Sequence, residues 1–199
     1  MNSYPFNIVP EQIPPELQER LSSHAWGARL LSDTSLTPIQ TPSRVSKPGT
    51  ENSFLAQTLR AGDAITACQS FYKAPSPPSE SESLQDSDSV NLGEMQTLYV
   101  IGSGLNGHEG VCHGGFLSLV LDEIMGLVVR LYPKAANPYT LYLNVSFKKP
   151  LSTPAVIVCR GRFTKLQGRK MWVSGSVEDG EGGLYATGES LFLEVKGNL

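Results

Sequence analysis

From Phe116 to Leu131 the chain is apolar almost without interruption, yet Asp122 and Glu123 sit side by side in its middle. His113-Gly114-Gly115 precedes the run and Pro133 follows it. The length and the all-round apolarity predict a buried, central helix that ends before Pro133. The partners for such a helix follow it. In TLYLNVSFKK, Leu141, Leu143, Val145 and Phe147 alternate with Thr140, Tyr142, Asn144 and Ser146, the period of a strand. AVIVCRGRFTKL, KMWVSGSVED and LYATGESLFLEV continue the pattern, divided by glycine-containing turns near 167–169 and 179–183. Short connections favour antiparallel pairing. One buried helix among such strands requires a sheet curved around it, an α+β arrangement.

Two further strands are predicted before the helix, Ala64 to Tyr72 and Met95 to Ile101, and a short helical turn at Phe54 to Leu59. Between the two strands, residues 74–90 hold six serines, four acids, three prolines and no basic residue. Too little apolar surface is available there to offset the entropy of ordering, so 74–91 is expected to be a disordered loop. Residues 1–50 contain seven prolines. They read as an arm with one short helix after Pro14-Pro15, carrying Leu17, Leu21, Ala25 and Ala28 on one stripe. Thr37 to Thr50 is expected to be a polar wrap or linker. The expected division is therefore 1–52 as arm and 53–199 as domain.

The net charge of −3 argues against nucleic acid as the main partner. Three scattered cysteines, Cys68, Cys112 and Cys159, fit free thiols in a reducing compartment. With no signal-like start and no run long enough to span a bilayer, a cytoplasmic protein without a membrane span is expected. GSGLNG, Gly102 to Gly107, has the spacing of a dinucleotide loop. No βαβ unit and no ribose-binding acid follow it, so a turn is expected instead.

The chemistry concentrates on the long helix. Asp122 shares a face with Ser118, Met125 and Gly126, a shallow trough with a carboxylate in it. A charge beside apolar walls needs a partner or a task; Arg130 or a distant lysine would serve as the partner. Glu123, one step round, reads as a rim or subunit-interface charge. At the helix start, Gly114 and Gly115 admit a ligand to backbone N–H groups at the positive end of the helix dipole, an arrangement suited to an oxyanion. His113 either orients that site or is a structural residue of the turn. Cys112 points away from His113 in an extended chain, which disfavours a Cys-His nucleophile. No metal site is expected, because His108 and His113 lack further ligands at metal spacing.

HGGFLSLVLDE, His113 to Glu123, resembles the helix signature of hotdog-fold thioesterases: His-Gly-Gly, seven residues, then Asp. TLYLNVSFKKPL is similar to the strand that follows it in acyl-CoA thioesterases of the phenylacetate-degradation and thioesterase-superfamily-member type. TENSFLAQTL, residues 50–59, is similar to a segment of fungal relatives. The resemblance covers about residues 50–196. It implies the hotdog fold, a long helix wrapped by a curved antiparallel sheet, paired as a homodimer with sites at the subunit interface and, in many members, as a homotetramer. It implies hydrolysis of acyl-CoA or carrier-bound acyl thioesters, with CoA entering as part of the substrate and no other cofactor. The catalytic carboxylate falls on Asp122, the oxyanion glycine on Gly114 with Gly115 beside it, the motif histidine on His113 and a hydroxyl on Thr140. Lys148, Lys149 and Arg162 are the cations expected to meet CoA phosphates. Two departures accompany the match. Where some members carry an Asn six residues before the histidine, this chain has Gly107, with Asn106 one step further back; and strict alternation turns Thr140 away from the Leu141 face. A dehydratase or hydratase, or a non-catalytic acyl-binding protein, is the alternative.

Overall fold

A computed structural model describes residues 8–75, 90–135 and 138–195. Most of the expected 74–91 loop lies outside the described residues. Two helices open the chain, α1 (Pro15–Ser22) and α2 (Ala25–Ser32), followed by strand β1 (Leu36–Ile39) and the short helix α3 (Ser53–Ala56). Strands β2 (Ile65–Lys73) and β3 (Glu94–Ile101) come next, then a small hairpin, β4 (Asn106–His108) and β5 (Val111–Cys112). The long helix α4 (Gly114–Val129) leads into β6 (Pro138–Phe147), β7 (Ala155–Gln167), β8 (Lys170–Glu178) and β9 (Leu184–Glu194). Seven strands form one sheet in the order β1-β2-β3-β7-β8-β9-β6, every pair antiparallel.

Helix α4 is central because its apolar residues leave it no solvated side to spare: Val120, Leu121, Ile124, Met125, Val128 and Val129 are all buried. A row of glycines lets it approach the sheet. Gly161 pairs with Gly175 and Gly175 with Gly188 across β7, β8 and β9. A Cβ on Gly161 would stand 2.9 Å from Val128 Cγ2, and one on Gly188 would stand 3.3 Å from Leu121 Cδ1. Their neighbours in each strand, among them Arg160, Arg162, Ser174 and Ser176, therefore point to the opposite face.

The N-terminal segment departs from expectation. Two helices replace one, because the chain breaks at Ser23 and His24 between them. Leu17 and Leu21 are buried as expected, but Ala25 and Ala28 are exposed, and Trp26 and Leu30 take the inward positions. These four side chains cover Phe71, Leu98 and Val158 on the sheet face opposite α4, a second small core. Within the stretch expected to be a wrap or linker, Pro38 and Ile39 belong to β1 and pair with Phe71 and Ser70. Pro38 costs no ladder bond because β1 is an edge strand. A chain of hydroxyls, Thr41 to Ser70 at 2.8 Å and Ser70 to Thr97 at 2.9 Å, satisfies the buried polar groups at that junction. GSGLNG forms a turn clamped by Asp63, whose Oδ2 accepts from the Ser103 backbone N–H at 2.7 Å and its hydroxyl at 2.8 Å.

Candidate active site

Strand β5 ends at Cys112, and His113 caps α4. Its Nδ1 accepts the Gly115 N–H at 2.8 Å, and its carbonyl accepts the Phe116 N–H at 2.9 Å. That bond places the imidazole proton of the neutral ring on Nε2. The cap uses one of the two N–H groups expected to face a substrate. The Gly114 N–H has no acceptor among the described residues. The Phe147 ring lies beside Gly114, 3.3 Å from where a Cβ would stand.

Two turns after Gly115, on the same face of the helix, lies Asp122. Burial raises its carboxyl above the ordinary 3.8, and the hydrogen bond from Thr140 works in the other direction. Thr140 Oγ1 donates to Asp122 Oδ1 at 3.0 Å within the same chain. Strict alternation does not allow this contact. The strand provides it by a bulge: Thr140 pairs with Phe192 and Tyr142 with Leu191, leaving Leu141 as an extra residue. The bulge resets the pleat, and Thr140 joins Leu143 on the α4 side.

A second bulge brings in a side chain that the sequence spacing places out of reach. Asn106 pairs with Cys112 and His108 with Val111, so Gly107 is the extra residue of that hairpin. The spacing that puts Asn106 seven residues before His113 is absorbed there. The Thr153 hydroxyl donates to Asn106 Oδ1, which leaves the amide N–H groups to other acceptors. Gly107 also makes room for the His113 ring, since a Cβ there would stand 2.8 Å from His113 Cδ2.

Asn106, His113, Gly115, Ser118, Asp122 and Thr140 line one cleft of about 650 Å³. Its remaining wall is apolar: Phe54, Leu59, Leu105, Phe116, Leu119 and Leu143. The volume and the mixture of a long apolar wall with a few converging polar groups suit a small organic ligand. The three expected phosphate-binding cations are not brought to it. Lys149 pairs with Asp179 at 2.9 Å and lies over the Tyr185 ring, Arg162 lies on the opposite face of the sheet, and Lys148 is exposed after Phe147. Burial pushes the Cys112 thiol up to about 11, which makes it a poor nucleophile. Glu123 does not stand on an open rim. It turns into a separate small cleft with Tyr99 and Arg130, accepts from Ser43, and is held above its ordinary value by burial.

Residues 109–186 match the Thioesterase superfamily family model. The chain is 31% identical over 108 residues to acyl-coenzyme A thioesterase THEM4 of Bos taurus, covering 53% of this chain and 44% of the relative. It is 24% identical over 168 residues to verlamelin biosynthesis protein B of a Lecanicillium species, covering 69% of this chain and 70% of that one. It thus spans less than half the length of the THEM4 protein it matches. Among solved structures, thioesterase superfamily member 2 of zebra fish superposes with a TM-score of 0.56 at 12% identity, over 78% of this chain and 93% of that chain. That likeness is one of fold. The α+β architecture, a long helix on a large antiparallel sheet, is the hotdog fold.

Proposed function

We propose that this protein hydrolyses acyl thioesters of coenzyme A to the free acid and thiol, in a site built from two copies of the chain. The observation that carries this reading is a half-buried carboxylate, Asp122, held by Thr140 in a largely apolar cleft that reaches His113 and Gly115 at the start of α4, while the adjoining Gly114, outside that lining, keeps an unused N–H. The thioester carbonyl accepts the Gly114 N–H, which stabilises the oxyanion as the carbonyl carbon is attacked. The Asn106 amide and His113 Nε2–H are further donors to that oxygen. Asp122 takes the proton of the attacking water, or attacks as the nucleophile itself. The C–S bond then breaks; on the general-base route the departing thiolate takes the proton held by Asp122, and on the nucleophilic route the thiolate is protonated from solvent and water cleaves the Asp122–acyl anhydride to the free acid. Burial raises the Asp122 carboxyl, which makes it a stronger base than an ordinary exposed carboxylate.

One copy cannot complete this site. Gly114 and Asp122 are separated along one helix by about 12 Å at ~1.5 Å per residue, far beyond the ~3–3.5 Å of reacting atoms. Strand β6 offers the remedy. Its outer edge, unpaired among the described residues, leaves Tyr139, Leu141, Tyr142 and Phe147 exposed, and such an edge invites pairing. Thr140 sits by Asp122 and Phe147 by Gly114, at opposite ends of the strand. Antiparallel pairing of β6 with β6 of a second copy, about a twofold axis near Leu143 and Asn144, exchanges those ends. Asp122 of one copy then meets Gly114 of the other. Lys148, next to Phe147, is the cation proposed for CoA phosphate. A cytoplasmic location belongs to the same proposal, to be checked by microscopy of a fluorescent fusion.

Thiol release from acetyl- to palmitoyl-CoA, an aromatic acyl-CoA and a carrier-bound acyl group tests the reaction, and silence with every donor refutes it. Subunit mixing tests the composite site. Asp122→Asn removes the base. Gly114→Pro removes the N–H at a helix position that accepts proline, preceded by the extended His113. Each variant alone is expected to be inactive. Refolded together they should regain about a quarter of the wild-type rate, because half of the dimers are hybrids with one intact site of two. No recovery in a mixture shown to contain hybrid dimers overturns the shared site.

A further inference from the structure

The family match begins at residue 109, yet part of the cleft wall comes from far upstream. Helix α3 and the turn Thr58–Arg60 after it contribute Phe54 and Leu59. This segment is anchored independently of any ligand. Leu55 and Ala56 are buried, the Arg44 guanidinium donates to the carbonyls of Leu55 and Ile65, and Asn52 Nδ2 donates to those of Pro42 and Val45 at 3.1 and 3.2 Å. Phe54 is left 53% exposed at the cleft although Leu55 and Ala56 in the same helix are buried. The cleft is also segregated by chemistry. Its polar side chains, Asn106, His113, Ser118, Asp122 and Thr140, come from β4, the start and one face of α4, and β6; the upstream segment adds only apolar ones. An acyl chain needs no hydrogen-bond partner, whereas a pantetheine arm brings two amides that need them.

We infer that Phe54 and Leu59 form the wall of an acyl-chain pocket and make binding tighten with acyl-chain length. The inference rests on the thioesterase reading for its substrate class, but its geometry can be tested without turnover. S-ethyl-, S-hexyl- and S-dodecyl-CoA thioethers cannot be hydrolysed, and their binding is measured by calorimetry. Affinity should rise with alkyl length in the wild type. Phe54→Ala and Leu59→Ala should each weaken S-dodecyl-CoA about tenfold or more while leaving S-ethyl-CoA unchanged. Both positions lie outside the catalytic machinery, and Phe54 is exposed, so the fold should survive. Affinity independent of chain length, or an equal loss for all three thioethers, overturns the inference. So does a change of sedimentation in Phe54→Ala with unchanged length dependence, which would assign the exposed ring to a subunit contact. If the thioethers bind as expected while no acyl donor is hydrolysed, the catalytic reading fails and the pocket stands. If thioesters are hydrolysed and Phe54→Ala leaves length dependence untouched, the pocket fails alone.

Discussion

The position of α4 on the sheet depends on Gly161, and the cost of filling that position follows from its surroundings. A methyl group there would stand 2.9 Å from Val128 Cγ2, 3.2 Å from Ile124 Cγ1 and 3.3 Å from the Ile124 carbonyl oxygen. Carbon atoms pack best at about 3.5–4.0 Å, so the helix must move outward by roughly half an ångström or more. Overpacking of this kind costs about 1–3 kcal/mol, offset by ~0.5–1 kcal/mol from restricting the unfolded backbone. Gly161→Ala should therefore lose about 1–2 kcal/mol. With a urea dependence of ~2 kcal/mol/M, the unfolding midpoint should fall by roughly 0.5–1 M. Gly126→Ala is the control within α4. Its nearest contact is Phe192 Cε1 at 4.0 Å, an ordinary separation, and replacing glycine inside a helix should add up to ~1 kcal/mol. Urea unfolding followed by tryptophan fluorescence measures both. A Gly161→Ala midpoint at or above wild type would refute the role given to the glycine row.

Three further outcomes follow from the site. His113→Ala removes the cap on Gly115 and should cost ~1 kcal/mol in the same urea assay, with a fall in kcat that His113→Asn, which can cap, partly restores. Thr140→Val removes the only donor among the described residues that reaches the Asp122 carboxylate. Since that bond lowers the carboxyl value against burial, its loss should move the acid limb of the pH–rate profile to higher pH, read from kcat/KM against pH. Cys112→Ala should keep activity, because the buried thiol does not ionise near neutral pH; loss of turnover in a folded Cys112→Ala protein would contradict that.

How much of this was legible in the sequence depends on how local each feature is. Helix α4, which carries Gly114, Gly115 and Asp122, follows from one long apolar run, broken in its middle by Asp122 and Glu123, with a cap and a stop. Strands β7, β8 and β9 follow from alternation between glycine turns. Strand alternation and spacing alone do not deliver Thr140, which the family resemblance points to, or Asn106, because each reaches the cleft through one extra residue, Leu141 or Gly107, and a bulge shows only when the partner strand is in place. Lys149 looks like a free cation until Asp179, thirty residues on, is seen beside it. The helical pair over Phe71, Leu98 and Val158 hides behind prolines, and its inward face shows only once the break at Ser23 and His24 separates Trp26 and Leu30 from the first stripe.

In the proposed mechanism Asp122 carries the chemistry, and the fold tolerates its charge rather than needing it. Burial raises its carboxyl in the folded state, so ionisation costs stability. That cost is absent below the ordinary value of 3.8, grows as pH rises through the raised folded value, and is constant above it. Thiol release and thermal unfolding of wild type and Asp122→Asn at pH 7, in the same samples, test both halves at once. Loss of turnover in Asp122→Asn with a Tm at or above wild type is the predicted result, with any gain in Tm disappearing at acid pH. Wild-type turnover in a folded Asp122→Asn protein would rule out Asp122 as the catalytic group.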